Sequence, residues 1–157
     1  MEFDELMRGF AGKVGIADLT LTDGMCQVEI DGMTVTFVEM PESRQIVTWA
    51  EVGEPPPEDR EHLYKVLLES MHMGRATGGS TFSLDPETGR LQLFRLDALP
   101  ILDLEAFQAM LEKFVNVLEE WRKLLGSFTA VVSEITKAEA ESAEESRQLG
   151  LGGFMQV

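Results

Sequence analysis

The sequence is short of several residue types, and each shortage excludes a class of protein. It has one cysteine, Cys26, among 157 residues, so no disulfide can form within a single chain; this is usual in a reducing compartment. No run approaches the roughly 18 apolar residues that cross a membrane. The acidic N-terminus, Met1 to Glu5, does not resemble a secretory signal. These features predict a protein of the cytosol that has no membrane partner.

Basic residues are scarce as well. The chain has 13 lysines and arginines against 28 aspartates and glutamates, which gives a formal net charge of -15. Such a charge repels nucleic-acid phosphates and anionic membranes, so we expect no nucleic-acid partner. It favours a basic or neutral polypeptide as partner, although solubility alone would explain it equally well.

The periodicity of the apolar residues predicts an α+β domain with the order helix, three strands, helix, two strands, helix. A first helix begins near Phe3 and ends near Gly12. Asp31-Gly32 joins the first two strands of an antiparallel meander, because both central positions of such a turn need positive φ. The strands are predicted over residues 25–30, 34–40, 45–52, 81–84 and 90–96, the second helix over residues 58–74, and the last helix after an N-cap at Asp103.

The C-terminal region differs in composition from the rest of the chain. Residues 1–135 are predicted to form one domain, and residues 136–157 an acidic and then glycine-rich tail. Residues 137–147 fit either a frayed extension of the last helix or a disordered segment. The glycines from Gly150 onward are expected to break any helix, and the last fifteen or so residues to be mobile.

No constellation of residues predicts catalysis, a metal or a cofactor. Cys26 lies in the alternating pattern of a buried strand, and nothing in the sequence places His62 or His72 beside it as a base. Adjacent residues of a helix point about 100° apart, so the side chains of Met71 to Met73 do not converge on an ion. The glycine-rich loop from Gly74 to Ser80 follows a helix and lacks the lysine of a phosphate loop.

Several segments resemble the class I chaperones of type III secretion, the family that includes the Tir chaperone. The segment Ile16 to Gly24 looks like that family's loop before a first strand that contains a cysteine, here Cys26. The strand and turn over residues 26–32, the third strand over 45–52 and the hairpin over 85–93 fit the same pattern. The resemblance spans roughly residues 1 to 125, and the last helix and its tail are longer than the family requires.

The resemblance implies a fold, a function and partners. The fold is an antiparallel twisted sheet packed on helices, in a homodimer of the bacterial cytoplasm that needs no cofactor. Such a dimer holds the N-terminal segment of a secreted effector in extended form and keeps it stable and competent for secretion. A contact between the acidic tail and the secretion ATPase is left open. Two alternatives stay open, namely a protein of the same fold that sequesters a regulator, and a small-ligand-binding protein or hydrolase.

Apolar side chains of the first helix and first strands are the candidates for the partner-binding groove. The alternative for each of them is an ordinary core position, and they are Leu6, Phe10, Val28, Ile30, Phe37 and Val38. The apolar stripe of the second helix is wide enough to need cover on two sides. It is therefore either a dimer interface or an ordinary core contact, and its residues are Leu63, Tyr64, Leu67, Leu68 and Met71.

Overall fold

A computed structural model describes the backbone of residues 2–152 and the side chains of residues 2–148. The order of its elements confirms the predicted α+β architecture. Within these residues the helices and strands are α1 (Phe3–Val14), β1 (Met25–Ile30), β2 (Met33–Met40), β3 (Gln45–Gly53), α2 (Arg60–Ser70), β4 (Thr81–Leu84), β5 (Leu91–Ala98) and α3 (Leu104–Gly152). Short 3-10 turns at His72–Gly74 and Leu99–Ile101 precede β4 and α3.

The five strands form one antiparallel sheet in the order β1-β2-β3-β5-β4, so β1 and β4 are its edges. Asp31 and Gly32 have φ angles of 50° and 74°, which is the geometry that the predicted β1–β2 turn requires. In the β4–β5 turn the Asp85 carboxylate accepts the backbone N–H of Glu87 at 2.8 Å. The two turns thus join neighbouring antiparallel strands, the first through its backbone angles and the second through the Asp85 side chain.

The core lies on the inner face of the sheet, where α1 and α3 cover the strands. Three aromatic rings join these layers, namely Phe10 of α1, Phe37 of β2 and Phe107 of α3. The centroid of Phe107 lies 5.4 Å from that of Phe10 and 5.5 Å from that of Phe37. The rings of Phe10 and Phe107 meet edge to face, which is a favourable arrangement for aromatic pairs. This cluster fixes both helices on the sheet.

The second helix is shorter than the sequence predicts. Asp59 and Met73 have φ angles of 55° and 58°, and residues in this left-handed region cannot continue a right-handed helix. The preceding prolines, Pro55 and Pro56, are buried, and Arg60 Nε donates to the Pro56 carbonyl at 2.8 Å. The predicted helix over residues 58–74 is therefore limited to Arg60–Ser70, and the connector before it packs on the protein.

The last helix begins as predicted and ends later. Asp103 Oδ1 accepts the backbone N–H of Ala106 at 2.8 Å, which confirms the N-cap. α3 passes Gly150, where the sequence predicts a break, and ends at Gly152. The alanines and glutamates of this segment have high helix propensity, in keeping with the helical alternative. Residues 153–157 lie outside the described residues, and the mobility of the tail stays a prediction. Despite the length of α3, no described helix is apolar enough to cross a membrane.

We predict that Phe107→Ala destabilises the protein strongly, because Phe107 is fully buried and its removal leaves a cavity between α1, β2 and α3. Loss of a buried phenylalanine costs about 3–5 kcal/mol, to be measured by urea unfolding. Ile101→Ala is the control, since Ile101 is 84% exposed and surface changes usually stay within about 0.5 kcal/mol. Equal midpoints for the two variants would contradict the central position of the cluster.

Candidate partner-binding surfaces

A surface groove lies between α1, β1 and α3, beside the edge of the sheet. Its volume is about 500 Å³, which is within the range of protein ligand sites. Because β1 is an edge strand, one side of its backbone has no strand partner among residues 2–152, apart from a single bridge between Met25 and Thr22 at its start. An extended peptide could add to this edge and place alternate side chains in the groove. The apolar lining consists of Phe10, Val14, Ile16, Val28, Ile30, Leu111 and Val115.

The rim of this groove is polar and largely acidic. Glu29, Asp31 and Glu112 line it together with Gln108 and Asn116. Because Glu29 alternates with Val28 and Ile30 along β1, its carboxylate points to the outer face of the sheet, where it accepts a hydrogen bond from Thr34 Oγ1 at 2.7 Å. The carboxylates at the rim itself are those of Asp31 and Glu112. Carboxylates at the rim of an apolar site favour partners with positive charge and disfavour acidic ones. The groove therefore suits an apolar segment with basic or neutral neighbours.

The structure places the six predicted groove residues in three environments. Phe10, Val28 and Ile30 line the groove, with Phe10 and Val28 only 4% and 6% exposed, and their role in partner binding stays a prediction. Leu6 and Phe37 have no exposed surface, so they are core residues and no partner can touch them. Val38 lies on the outer face of the sheet, because successive residues of a strand point to opposite faces. This alternation already separates Val38 from its neighbour Phe37 in the sequence.

Sequence reasoning missed four of the seven apolar residues that line the groove. Leu111 and Val115 of α3 are four residues apart and thus share one helix face, but neither was predicted to line a groove. Val14 and Ile16 lie at the end of α1, where the chain was expected to have left the helix at Gly12. Helical spacing identifies the apolar face, but it does not show which part of that face the fold leaves uncovered.

A second apolar surface is the outer face of the sheet. Met25, Val38, Val47 and Leu96 lie side by side on four adjacent strands. Met25 and Leu96 are 43% and 49% exposed, and the other two are half-buried. Beside this row, Trp49 of β3 pairs with Phe94 of β5, and both are half-buried. Contiguous exposed apolar surface of this kind marks interaction sites.

The candidate dimer residues of α2 are divided between the core and the surface. Leu63 and Leu67 are buried and line a small apolar cavity against α3, so they are core residues. Met71 accepts the backbone N–H of Phe82 through its sulfur at 3.1 Å, which ties it to β4. Tyr64 is half-buried, and Leu68 is 66% exposed. Of the five residues, Leu68 is the most accessible to another chain.

The residues considered for catalysis or metal binding are not brought together. Burial of Cys26, and secondly the charge of Asp4, raise the pKa of its thiol to about 11, which is the opposite of nucleophile activation. His62 stacks on Phe128 with 5.8 Å between ring centroids. Met73 is 78% exposed and does not join Met71 at β4. In the described part of the chain, no group of three or more His, Cys, Asp or Glu side chains is placed to hold a metal ion.

The glycine-rich loop before β4 is a packed connector. Trp121 Nε1 of α3 donates to the carbonyl of Ala76 at 3.1 Å. Arg95 of β5 donates to the carbonyl of Gly78. These two bonds fix the loop between α3 and the sheet, where it connects α2 to β4.

A family model for the Tir chaperone protein (CesT) family matches residues 5–122. The chain belongs to this family. This confirms the resemblance to the class I chaperones of type III secretion that the sequence carries. The match ends at residue 122, whereas α3 continues to Gly152. No curated protein sequence shows significant similarity to the chain.

Solved structures share the fold of this family member. A chain of the ExsC–ExsE complex is 26% identical, with a TM-score of 0.67 over 78% of this chain and 92% of that chain. A chain of the HopA1–SchA chaperone–effector complex is 15% identical, with a TM-score of 0.63 over 77% and 93%. A chain of the complex between the Yersinia pestis type III secretion chaperone SycH and a stable fragment of YscM2 is 17% identical, with a TM-score of 0.62 over 76% of this chain and 99% of that chain. The family member described here therefore shares the fold of these chains over most of their length.

We predict that Cys26 reacts slowly with thiol reagents. With its pKa raised from 9.0 to about 11, its thiolate fraction at neutral pH is about 100-fold below that of an ordinary thiol, and the thiolate is the reactive form. The alkylation rate with iodoacetamide should therefore be at least that much lower in the folded protein than in the urea-unfolded chain. Equal rates in the two states would show that Cys26 is accessible and unshifted.

Proposed function

We propose that this chain is a homodimeric type III secretion chaperone of the bacterial cytoplasm that holds an N-terminal segment of a secreted effector in extended form. The observation that carries the proposal is the acidic-rimmed apolar groove beside the exposed edge of β1, in a chain of the Tir chaperone family. The edge of β1 can bind the backbone of a partner, and the groove can bind its apolar side chains. An unfolded segment exposes both kinds of group.

The edge of β1 provides the main-chain part of this recognition. A peptide added as a sixth strand pairs its N–H and C=O groups with β1, independently of its sequence. Every second side chain of such a strand faces the groove, where it meets Phe10, Val28 and Ile30. Each fully buried aliphatic side chain contributes about 1.5–3 kcal/mol. A segment held in this way cannot use the same side chains to fold or to aggregate.

The outer face of the sheet offers a second contact for a longer segment. Met25 and Val38 lie on β1 and β2 next to the edge that the peptide would occupy. The side chains of the added strand that do not face the groove point to this outer face, because the two sets alternate. A segment that continues past the edge can then cross the row that ends at Leu96. One extended chain can thereby cover both apolar surfaces.

The charge of the protein supports selection among such segments. A net charge of -15 attracts basic segments over several ångströms and speeds their encounter. It repels acidic polypeptides and nucleic acid in the same way. Association of the effector segment should therefore slow as salt is added, whereas the apolar contacts should change little.

The homodimer is proposed to form through the exposed side of α2. Leu68, which is 66% exposed, lies one turn from the half-buried Tyr64, so the two share a face. An interface with two-fold symmetry uses the same patch on both copies. It would therefore cover Leu68 and Tyr64 of each copy. Met71, at the end of α2, is tied to β4, and β4 and β1 are the two opposite edges of the sheet. A dimer formed through α2 would therefore leave the groove beside β1 open in each copy.

The first test is a pull-down of the tagged protein from its native bacterium, followed by protease trimming of the bound partner. We expect mass spectrometry to find a secreted protein and the protected fragment to be a short N-terminal segment, because a segment lying in the groove is shielded. A folded cytosolic regulator as sole partner would instead support the regulator-sequestering alternative.

The fragment then allows a variant test of the groove. Val14→Asp combined with Ile30→Asp places two charges in the apolar lining, and we expect the dissociation constant to rise at least tenfold, or about 1.4 kcal/mol, by titration calorimetry. Met73→Asp combined with Ile101→Asp is the matched control, since it adds the same two charges at exposed residues that do not line the groove. Unchanged affinity of the groove variant would refute the assignment.

The dimer has its own test. Leu68→Asp should convert the protein from dimer to monomer at micromolar concentration in sedimentation velocity, because a charge would be buried at the centre of the interface. Met73→Asp is the control, since Met73 is exposed nearby but lies outside α2. A monomeric wild type, or a dimer unaffected by Leu68→Asp, would exclude this interface.

A further inference from the structure

The distal part of α3 carries an apolar stripe that the described part of the protein leaves about half exposed. Within residues 2–148, Val132 is the last buried residue of the helix. Leu124, Val131 and Ile135 are 48%, 56% and 53% exposed. We name these three residues the α3 stripe. All three residues follow residue 122, where the family match ends, and Val131 and Ile135 follow it by nine residues or more. The stripe is therefore a feature of this chain rather than of the family pattern.

The spacing of the α3 stripe is that of a helix–helix contact. Apolar positions that alternate three and four residues apart form the seam of a coiled coil. On α3 this pattern continues across several turns, at Leu124, Phe128, Val131, Ile135 and Ala138. Phe128 is half-buried under His62 of α2, so the part of the seam that is open to a second helix runs from Val131 to Ala138. A helix of this kind gains little stability in isolation, because most helical stability in proteins comes from packing of the apolar face. The seam is therefore suited to a second helix.

The charges beside the stripe argue against a second copy of this chain as its occupant. At about 100° per residue, Glu134 and Glu139 lie on opposite sides of Ile135. Two copies packed in parallel would bring Glu134 against Glu139, and two antiparallel copies would bring each glutamate against its own equivalent. Like charges in these flanking positions destabilise a coiled coil. Self-association through the stripe is thus disfavoured in either orientation.

The same charges complement a basic partner. Residues 133–148 contain five glutamates against Lys137 and Arg147, a net charge of -3. Arg147 lies 3.7 Å from Glu144 in an ion pair, so one of the two positive charges is already compensated within the helix. Lysines or arginines on both flanks of an approaching helix would meet Glu134 and Glu139, while its apolar side covers the stripe.

We propose that the α3 stripe docks an amphipathic helix with basic flanks from a partner protein. This goes beyond the proposed effector site, which takes an extended segment at the other end of α3. Val115 of the groove and Val131 of the stripe are 16 residues apart, which is about 24 Å along a helix. Both sites can therefore be occupied at the same time, so the chaperone can hold its effector and a helical partner together.

The test uses the full-length protein and two synthetic fluorescent peptides in an anisotropy titration at physiological salt. Both peptides have three heptads with leucine at the seam positions, and they differ in carrying lysine or glutamate at the flanking positions. We expect the lysine peptide to bind and the glutamate peptide to bind at least tenfold more weakly. Val131→Asp with Ile135→Asp should abolish binding of the lysine peptide, although it makes the protein more acidic.

The matched control is Met73→Asp with Ile101→Asp, which adds the same two charges at residues that are 78% and 84% exposed. This control should bind the lysine peptide as the wild type does. Equal binding by the Val131/Ile135 variant would overturn the proposal, because it would show general attraction to an acidic protein. Absence of binding to the wild type would overturn it as well. So would light scattering that shows the Val131/Ile135 variant dissociating a wild-type oligomer, because a second copy would then cover the stripe.

Discussion

The contact of Phe10, Phe37 and Phe107 is the interaction on which the other features depend. It brings α1 and α3 onto the same face of the sheet, with ring centroids 5.4–6.4 Å apart. A sheet has two faces, and helices that are committed to one of them cannot cover the other. The outer row from Met25 to Leu96 therefore stays partly exposed, and the edge of β1 stays open beside α1. The core and the binding surfaces are two results of one packing arrangement.

The groove takes its rigidity from this core. Phe10 belongs both to the aromatic cluster and to the groove lining, so the floor of the site cannot move without disturbing α3 and β2. A pre-formed apolar floor reduces the ordering cost of binding, which matters for a partner that is itself unfolded and loses chain entropy. Exposed apolar surface also carries a risk of self-association. The high net negative charge counters that risk, because it keeps copies of the protein apart wherever no specific contact compensates for the repulsion.

A structural feature could be predicted from the sequence when neighbouring residues determine it, and not when it depends on the packing of distant elements. The turn at Asp31-Gly32 and the cap at Asp103 follow from neighbouring residues, and both were predicted from the sequence. Phe10, Val28 and Ile30 were placed on the correct face for the same reason. Periodicity shows on which face of an element a side chain lies but not how deeply that side chain is buried. The sequence therefore could not distinguish Phe37, which is fully buried, from these three groove residues. The early end of α2 depends on the positive φ of Met73, which its residue type does not favour.

The groove and the α3 stripe have the same charge preference but differ in shape, and this difference can keep their partners apart. Carboxylates surround both, so long-range attraction brings basic polypeptides to either surface without discrimination. Selection then falls to the short-range contacts. The β1 edge requires an exposed main chain, which a helix has already used internally. The α3 stripe requires apolar residues spaced three and four apart on one helix face, which an extended strand with period two cannot present. A single acidic protein can thus bind an unfolded and a folded segment without exchanging them.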